Sequence, residues 1–148
     1  MDRLWIRLVG HSGGAPLDLD VNGRTVRVPI AAMGVARFPF SALCERPLGA
    51  FDYLRVAHAF HTVLIDAIPA LRPAQRDVAR RFVNLIDTLY DNRVCLVASA
   101  DTEPNELYPA GDGAFLFERT ASRLMEMRSQ AYLDGRMQRI KSRTQQTI

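Results

Sequence analysis

The chain has 148 residues, of which 48% are hydrophobic and 24% charged, and its formal charge is +3. This length allows one compact domain with its own core, and the composition argues against a largely disordered chain and against a disulfide-rich miniprotein. The sequence lacks the roughly 20 consecutive apolar residues of a membrane span and begins too polar for a signal peptide, so we expect a reducing compartment in which Cys44 and Cys95 are free thiols.

Two segments of alternating apolar residues flank Asn22-Gly23 and predict a β-hairpin. Asn-Gly suits this position because it accepts the positive φ angles of a type I′ turn. We expect the apolar residues of each strand to share one face: Leu17, Leu19 and Val21 on the first strand, and Val26, Val28 and Ile30 on the second. Gly13 and Gly14 before the hairpin suggest a flexible lead-in.

The next segment predicts a short strand and two helices. The strand runs from Val35 to Phe40, and Ser41 can cap a helical turn that continues to Cys44. A second helix is predicted from about Ala50 to Phe60. Its apolar positions fall near helical spacing: Leu54, Ala57 and Phe60, with Tyr53 beside them.

A long helix between two apolar runs predicts a βαβ unit. The runs from Thr62 to Asp66 and from Val94 to Ala98 are typical of buried strands. Between them, the segment from Pro73 to Tyr90 has an apolar face at helical spacing, and proline is suited to the first turn. We expect the two strands to be parallel. The predicted fold is therefore α/β, with a mixed sheet, an N-terminal β-hairpin, the βαβ unit and a C-terminal helix.

The C-terminal third contains one ambiguous segment and one helix. The run from Phe115 to Phe117 could add a short strand, and helical spacing returns from Arg119 onward. The residues expected to face inward are Leu124, Met127, Ala131 and Tyr132. We divide the chain into a flexible lead-in (1–14), a single α/β domain (15–134) and a basic polar tail (135–148).

The tail carries a basic run that we interpret as a solvated surface. It consists of Arg136, Arg139, Lys141 and Arg143. Nucleic-acid binding would be the other use of such a run, but a formal charge of +3 is too small to favour it.

Motifs for nucleotide chemistry are incomplete in this sequence. Of 19 basic residues, 18 are Arg, and the single Lys141 follows Ile140. A Walker A loop needs Gly before its Lys, so that backbone N–H groups surround the phosphates. Asp66 ends an apolar strand, as the magnesium-orienting Asp of a Walker B motif does, but Ala67 stands where a second acid is expected. We interpret Asp66 as a structural or capping residue.

His58 and His61 are three residues apart and could share a helix face, as a pair of metal ligands would. No Cys, Asp or Glu at a recognised spacing completes such a site. We therefore predict no metal site.

Arg119 and Arg123 are the strongest candidates for binding a ligand. They are four residues apart, so they point the same way on a helix, and Thr120 and Ser122 supply hydroxyls at what we expect to be the helix start. A helix N-terminus with two forked guanidinium groups is a natural anion site.

Ion pairing is the alternative for these arginines. Arg119 and Arg123 would then bind Glu118, Glu126 or carboxylates elsewhere in the fold. Arg80 and Arg81 are adjacent on the long helix and point in different directions. We interpret at least one of them as an interdomain contact or a surface ion-pair partner.

A series of short segments between about Leu17 and Leu133 carries a family resemblance. They are Phe40-Ser41-Ala42-Leu43-Cys44, Pro47-Leu48-Gly49-Ala50, Asp52-Tyr53-Leu54, Phe60-His61-Thr62-Val63, Ile68-Pro69, Ala79-Arg80-Arg81-Phe82, Leu85-Ile86-Asp87-Thr88-Leu89-Tyr90-Asp91, Leu107-Tyr108, Phe117-Glu118-Arg119-Thr120, Ser122-Arg123-Leu124, Glu126-Met127 and Tyr132-Leu133. In this order they resemble the C-terminal part of the ZapE-like AAA+ ATPase family, which comprises bacterial ZapE and its mitochondrial relatives.

The resemblance implies a P-loop ATPase that uses ATP and magnesium and couples hydrolysis to protein remodelling, at the bacterial division site or in mitochondrial protein quality control. It implies cytoplasmic localisation in a bacterium and mitochondrial localisation in a eukaryote. The Walker A and Walker B motifs of the family lie upstream of the matched segments. This chain alone is therefore expected to be inactive, with the missing nucleotide-binding domain as its partner.

Among the residues that match family motifs, two are the nearest to possible nucleotide chemistry. Arg119 and Arg123 lie in a motif that resembles Arg-Thr-x-Ser-Arg-Leu. The resemblance implies that they sense the γ-phosphate or pack against the nucleotide-binding domain.

The alternative function is a stand-alone protein-interaction module that binds no nucleotide and uses the hairpin edge or the long helix. If the chain is instead part of a larger ATPase, some apolar surface should face water. Trp5 and the strand from Val35 to Phe40 are the expected sites of that surface.

Overall fold

The computed structural model describes residues 2–10, 13–111 and 114–127. In chain order, the elements are helix α1 (Asp2–Val9), strands β1 (Ala15–Val21), β2 (Arg24–Ala32) and β3 (Val35–Pro39), helices α2 (Phe40–Cys44) and α3 (Ala50–Ala59), strand β4 (Thr62–Ile68), helix α4 (Arg76–Asp91), strand β5 (Cys95–Ala100) and helix α5 (Ala114–Glu126). Single turns of 3-10 helix at Pro73–Gln75 and Pro104–Glu106 lie before α4 and α5.

The five strands form one mixed sheet in the order β1-β2-β3-β4-β5. β1 and β2 form the predicted antiparallel hairpin, and β2 also pairs antiparallel with β3. β3, β4 and β5 are parallel. The predicted α/β class, hairpin and βαβ unit (β4-α4-β5) are thus confirmed. A second βαβ unit, β3-α3-β4, was not predicted.

Helices cover the two faces of the sheet unequally. The larger core lies on one face, where Val63 and Ile65 of β4 pack with residues of α2, α3 and α4. Leu64 points to the opposite face, because successive side chains of a strand alternate. There it forms a small cluster with Trp5, Val9 and Val35.

Helix α1 provides Trp5 and Val9 for this small cluster, and the sequence analysis predicted no helix in these residues. Their spacing of four places both side chains on one face of α1. Trp5 is buried, as are Val35 and Phe38 of β3. The expectation that Trp5 and this strand expose apolar surface is therefore wrong.

The inner face of the hairpin follows the predicted alternation only in part. Leu19, Val21, Val26 and Val28 are buried in the larger core, whereas Leu17 is exposed. Leu17 pairs with Val28, and Ala15 pairs with Ala31. The step between these pairs is two residues in β1 and three in β2, so β2 has one extra residue there. Such a bulge reverses the alternation. Ile30 consequently packs with the cluster on the opposite face.

Three local predictions at helices are wrong. Ser41 lies inside α2, and Pro39 holds the N-cap position. Leu54 of α3 is exposed, and Val56 is buried in its place. The segment from Phe115 to Phe117 is helical, because α5 begins at Ala114.

Two of the four C-terminal residues expected to face inward, Leu124 and Met127, lie within the described residues. Leu124 is half-buried and Met127 is buried, as expected for inward-facing residues. Ala131, Tyr132 and the basic run at 136–143 lie outside the described residues. Cys44 and Cys95 are free thiols, as predicted.

Candidate functional site

Arg119 and Arg123 both lie within helix α5 rather than at its start. The helix begins at Ala114, so Arg119 is in its second turn and Arg123 is in its last turn. The unpaired N–H groups of a helix belong to its first turn. The expectation of an anion site that combines these arginines with the helix N-terminus is therefore wrong, although both side chains do point the same way.

Asp87 of α4 joins the two arginines. Nη2 of Arg119 donates a hydrogen bond to Oδ2 of Asp87 at 3.2 Å, and Nη1 of Arg123 donates to Oδ1. Each carboxylate oxygen thus accepts from a different guanidinium. Arg119 is 64% exposed and Arg123 is 23% exposed. The sequence analysis named pairing with carboxylates elsewhere as the alternative, and the structure contains such a pair.

Tyr90 lies one helical turn beyond Asp87 on α4 and contacts Arg123. The guanidinium carbon of Arg123 lies 5.0 Å from the centroid of the Tyr90 ring, in a cation–π contact. A hydrogen bond between the Tyr90 hydroxyl and Glu126 raises the pKa of Tyr90. These five residues, Asp87, Tyr90, Arg119, Arg123 and Glu126, are called the arginine cluster below.

Aromatic packing fixes α5 against α4 beside the arginine cluster. The rings of Phe82 and Phe117 stack with their centroids 5.9 Å apart. Tyr108 contacts Phe117 edge-on at 5.7 Å. Because these rings are buried in the core, the two helices present the cluster at a defined separation.

Asp87 uses only part of the hydrogen-bonding capacity of the two arginines. Asp87 accepts from two guanidinium groups, and each guanidinium has five N–H donors. Arg119 therefore has further donors directed to solvent. Such a pair can bind a carboxylate or phosphate through Arg119 while Arg123 stays fixed by Asp87 and Tyr90.

Arg80 and Arg81 are separated by their position on α4. Arg81 is half-buried, and its Nη1 donates a hydrogen bond to the carbonyl oxygen of Cys44 at 3.1 Å. Arg80 is exposed and lines a cavity of about 410 Å³ together with Arg76, Asp77 and Phe117. The interdomain role proposed for one of them stays a prediction.

Asp66 has the structural role that the sequence analysis gave it. Its two oxygens accept hydrogen bonds from Arg37 at 2.7 and 3.1 Å. This contact, together with a second ion pair between Arg37 and Asp2, raises the pKa of Arg37. Asp66 thus helps to hold α1 on the sheet.

His58 and His61 do not share a helix face, because α3 ends at Ala59. Nε2 of His61 donates to the carbonyl oxygen of Met33 at 3.1 Å, and Nδ1 lies 2.8 Å from the hydroxyl of Thr62. The described residues contain no cluster of three or more His, Cys, Asp or Glu that could hold a metal ion. His61 therefore supports the turn between β2 and β3.

The sequence analysis missed Asp87 and Tyr90 as members of the site. A signal was present: the two residues are three apart, next to the apolar face of the long helix. That spacing shows only that they are neighbours. Their contact with Arg119 and Arg123 depends on how α5 packs against α4.

Comparison with known proteins gives a family match over nearly the whole chain. A family model described as AFG1-like ATPase matches residues 1–136. The cell division protein ZapE of Escherichia coli K12 is 36% identical over 137 residues, which cover 90% of this chain and 36% of ZapE. The resemblance drawn from the short segments is thereby confirmed.

Two eukaryotic proteins are similar over somewhat less of the chain. Lactation elevated protein 1 homolog B of Danio rerio is 34% identical over 149 residues, covering 79% of this chain and 30% of that protein. An uncharacterized protein of Schizosaccharomyces pombe is 31% identical over 144 residues, covering 78% of this chain and 32% of its own length. The chain thus spans about a third of the length of these relatives. No solved structure matches it.

Proposed function

The chain belongs to the AFG1-like ATPase family, and on that premise we propose that it is the C-terminal portion of a P-loop AAA+ ATPase that couples ATP hydrolysis to protein remodelling. The remodelling would serve cell division or protein quality control. ATP and magnesium would be the cofactors of the full-length protein. The phosphate-binding loop and the metal ligands would come from a nucleotide-binding domain outside this chain, which would also be its main partner.

Localisation and further partners follow from the same proposal. A bacterial protein of this kind would act in the cytoplasm on division proteins, and a eukaryotic one would act in mitochondria on quality-control clients. No helix in the described part of the chain is long and apolar enough to cross a membrane.

The arginine cluster is the observation that supports a role in nucleotide chemistry. Arg119 and Arg123 are held side by side by Asp87, and Arg123 is further fixed by Tyr90. An arginine that stabilises the charge on a transferred phosphoryl group must be placed before the reaction, because its benefit depends on a fixed position. We propose that Arg123 is the positioned residue and that Arg119 supplies the accessible donors.

Comparison of this chain with the full-length protein tests the proposal. The full-length protein should bind and hydrolyse Mg-ATP. This chain alone should neither bind Mg-ATP with micromolar affinity nor hydrolyse it, because the phosphate loop and metal ligands are supplied elsewhere. Saturable micromolar binding of Mg-ATP to this chain in a calorimetric titration would contradict the proposal.

A protein-interaction module is the second candidate function. It is favoured by the exposed apolar side chains of α5, among them Phe115, Leu116 and Met125. A module of this kind would bind its partner equally well with and without nucleotide. The ATPase proposal instead predicts that nucleotide changes how the full-length protein engages its protein substrate.

A further inference from the structure

One face of α5 carries a stripe that residues 2–10, 13–111 and 114–127 leave exposed. Phe115, Glu118, Ser122 and Met125 follow one another at intervals of three, four and three residues. Residues at these intervals lie on one side of a helix. Phe115 is 80% exposed, and Met125 is more than half exposed. The stripe therefore has a large apolar side chain at each end and polar side chains between them.

A groove runs along this stripe. Its second wall is formed by Glu103, Asn105, Tyr108 and Pro109, in and around the 3-10 turn before α5. Ala114, Phe117 and Ala121 of α5 also line the groove. The groove is open to solvent, and its volume is about 670 Å³. Since a helix rises 1.5 Å per residue, the stripe is about 15 Å long, or three helical turns.

The charge on this groove has one sign. Among the described residues that line it, the charged ones are Glu103 and Glu118, both acids. The arginines of α5 lie outside it, because Arg119 and Arg123 bind Asp87 on α4. The groove is thus apolar and acidic in a protein whose net charge is positive. Acidic walls disfavour a phosphate-bearing partner such as nucleic acid or an anionic lipid surface.

We propose that this groove binds a basic amphipathic helix of a partner protein. Apolar side chains of that helix would contact Phe115 and Met125, and a Lys or Arg between them would pair with Glu118. A helix is the fitting occupant because the three-four-three spacing of the stripe is the spacing of a two-helix seam. This inference depends on α5 and the 3-10 turn before it, and it holds whether or not the chain serves an ATPase.

Two synthetic 16-residue helical peptides provide the test. Both carry Leu at intervals of three, four and three residues, and one carries Lys and the other Glu at the flanking positions. The Lys peptide should bind the protein saturably in a calorimetric titration, and the Glu peptide should bind at least about tenfold more weakly. Equal affinity of the two peptides, or no saturable binding of the Lys peptide, would overturn the proposal.

Three variants locate the binding site. Phe115→Ser should weaken binding of the Lys peptide by about tenfold or more, because a buried aromatic anchor carries much of the energy of such an interface. Glu118→Lys should reverse the preference between the peptides. Phe51→Ser is the matched control, since Phe51 is 68% exposed on α3, and it should leave the affinity unchanged. Loss of binding in the control, or an unchanged preference in Glu118→Lys, would show that the peptide does not occupy the groove.

Discussion

Arg123 and Asp87 form an ion pair that joins helix α5 to helix α4. The guanidinium of Arg123 also lies over the ring of Tyr90, so a carboxylate and an aromatic face hold it from two directions. Both members of the pair are about one quarter exposed. The pair is thus accessible to a ligand and yet fixed by contacts of α4, which is the combination that a phosphate-sensing arginine requires.

Replacement of Asp52 should be the most costly change of a single charged side chain in the described structure. The Asp52 side chain is 1% exposed. Its two carboxylate oxygens accept hydrogen bonds from Nη2 of Arg24 at 2.8 and 3.0 Å. One of them also accepts from the backbone N–H of Gly49 at the start of α3. Asp52→Ala removes both contacts and leaves an exposed Arg24, so the free energy of unfolding in urea should fall by about 2 kcal/mol.

Asp18 provides the matched control for Asp52. It pairs with Arg27 in the same hairpin, but both side chains are more than half exposed. Asp18→Ala should therefore lower the free energy of unfolding by less than about 1 kcal/mol. Equal losses in the two variants would show that burial of Asp52 does not matter to stability.

The stability of the fold should decline at alkaline pH because of Cys44. Burial raises the pKa of this thiol from 9.0 to about 12. Between these values the unfolded chain releases a proton that the folded chain keeps. The free energy of unfolding should therefore fall as pH rises through this window, by up to about 1.4 kcal/mol per pH unit for this group.

Cys44→Ala should flatten this alkaline slope in urea unfolding between pH 9 and 11. Cys95→Ala is the control, because Cys95 is only half-buried. Burial also raises the pKa of Tyr53, so a smaller decline should persist at the upper end of the range. An unchanged slope in Cys44→Ala would contradict the assignment.

Trp5 should report the docking of α1 on the sheet. It is the single tryptophan of the chain and is buried with Val9, Val35 and Leu64. Val9→Asp places an unpaired carboxylate in this cluster, so α1 should detach and the Trp5 emission should shift to the wavelength of a tryptophan in water. Ile6→Asp, on the exposed side of α1, should keep the emission of the native protein. A native spectrum in Val9→Asp would show that α1 is held by other contacts.

The hairpin and the long helix could be predicted because residues close together in the sequence determine them. Asn22-Gly23 fixes the hairpin turn, and the apolar face of α4 identifies the long helix. The packing of Ile30 on the opposite face could not be predicted because it depends on a bulge in β2. The exposure of Leu54 could not be predicted because it depends on how α3 packs in the fold. Helix α1 was missed although five of its eight residues are apolar and Trp5 and Val9 lie one turn apart.

The two arginines of the candidate site could be predicted from the sequence, but their partners could not. Four-residue spacing places Arg119 and Arg123 on one face of a helix, which is a local property. Asp87 is 32 residues before Arg119 in the chain, and tertiary packing, including that of Phe117 on Phe82, brings their helices together. The start of α5 was misplaced for a different reason: the run from Phe115 to Phe117 was open to interpretation as a short strand, whereas the helix begins at Ala114.

We propose that Arg123 serves the nucleotide chemistry of the full-length ATPase. The most direct measurement is the kcat of ATP hydrolysis per folded molecule in full-length Arg123→Ala, with Arg27→Ala as a control in an exposed ion pair of the hairpin. We predict a loss of about 10³-fold in kcat, a stability decrease of only about 1 to 2 kcal/mol and normal turnover in the control. Turnover near that of the unmodified protein, with or without a lower melting temperature, would contradict the claim and leave Arg123 as a structural contact between α4 and α5.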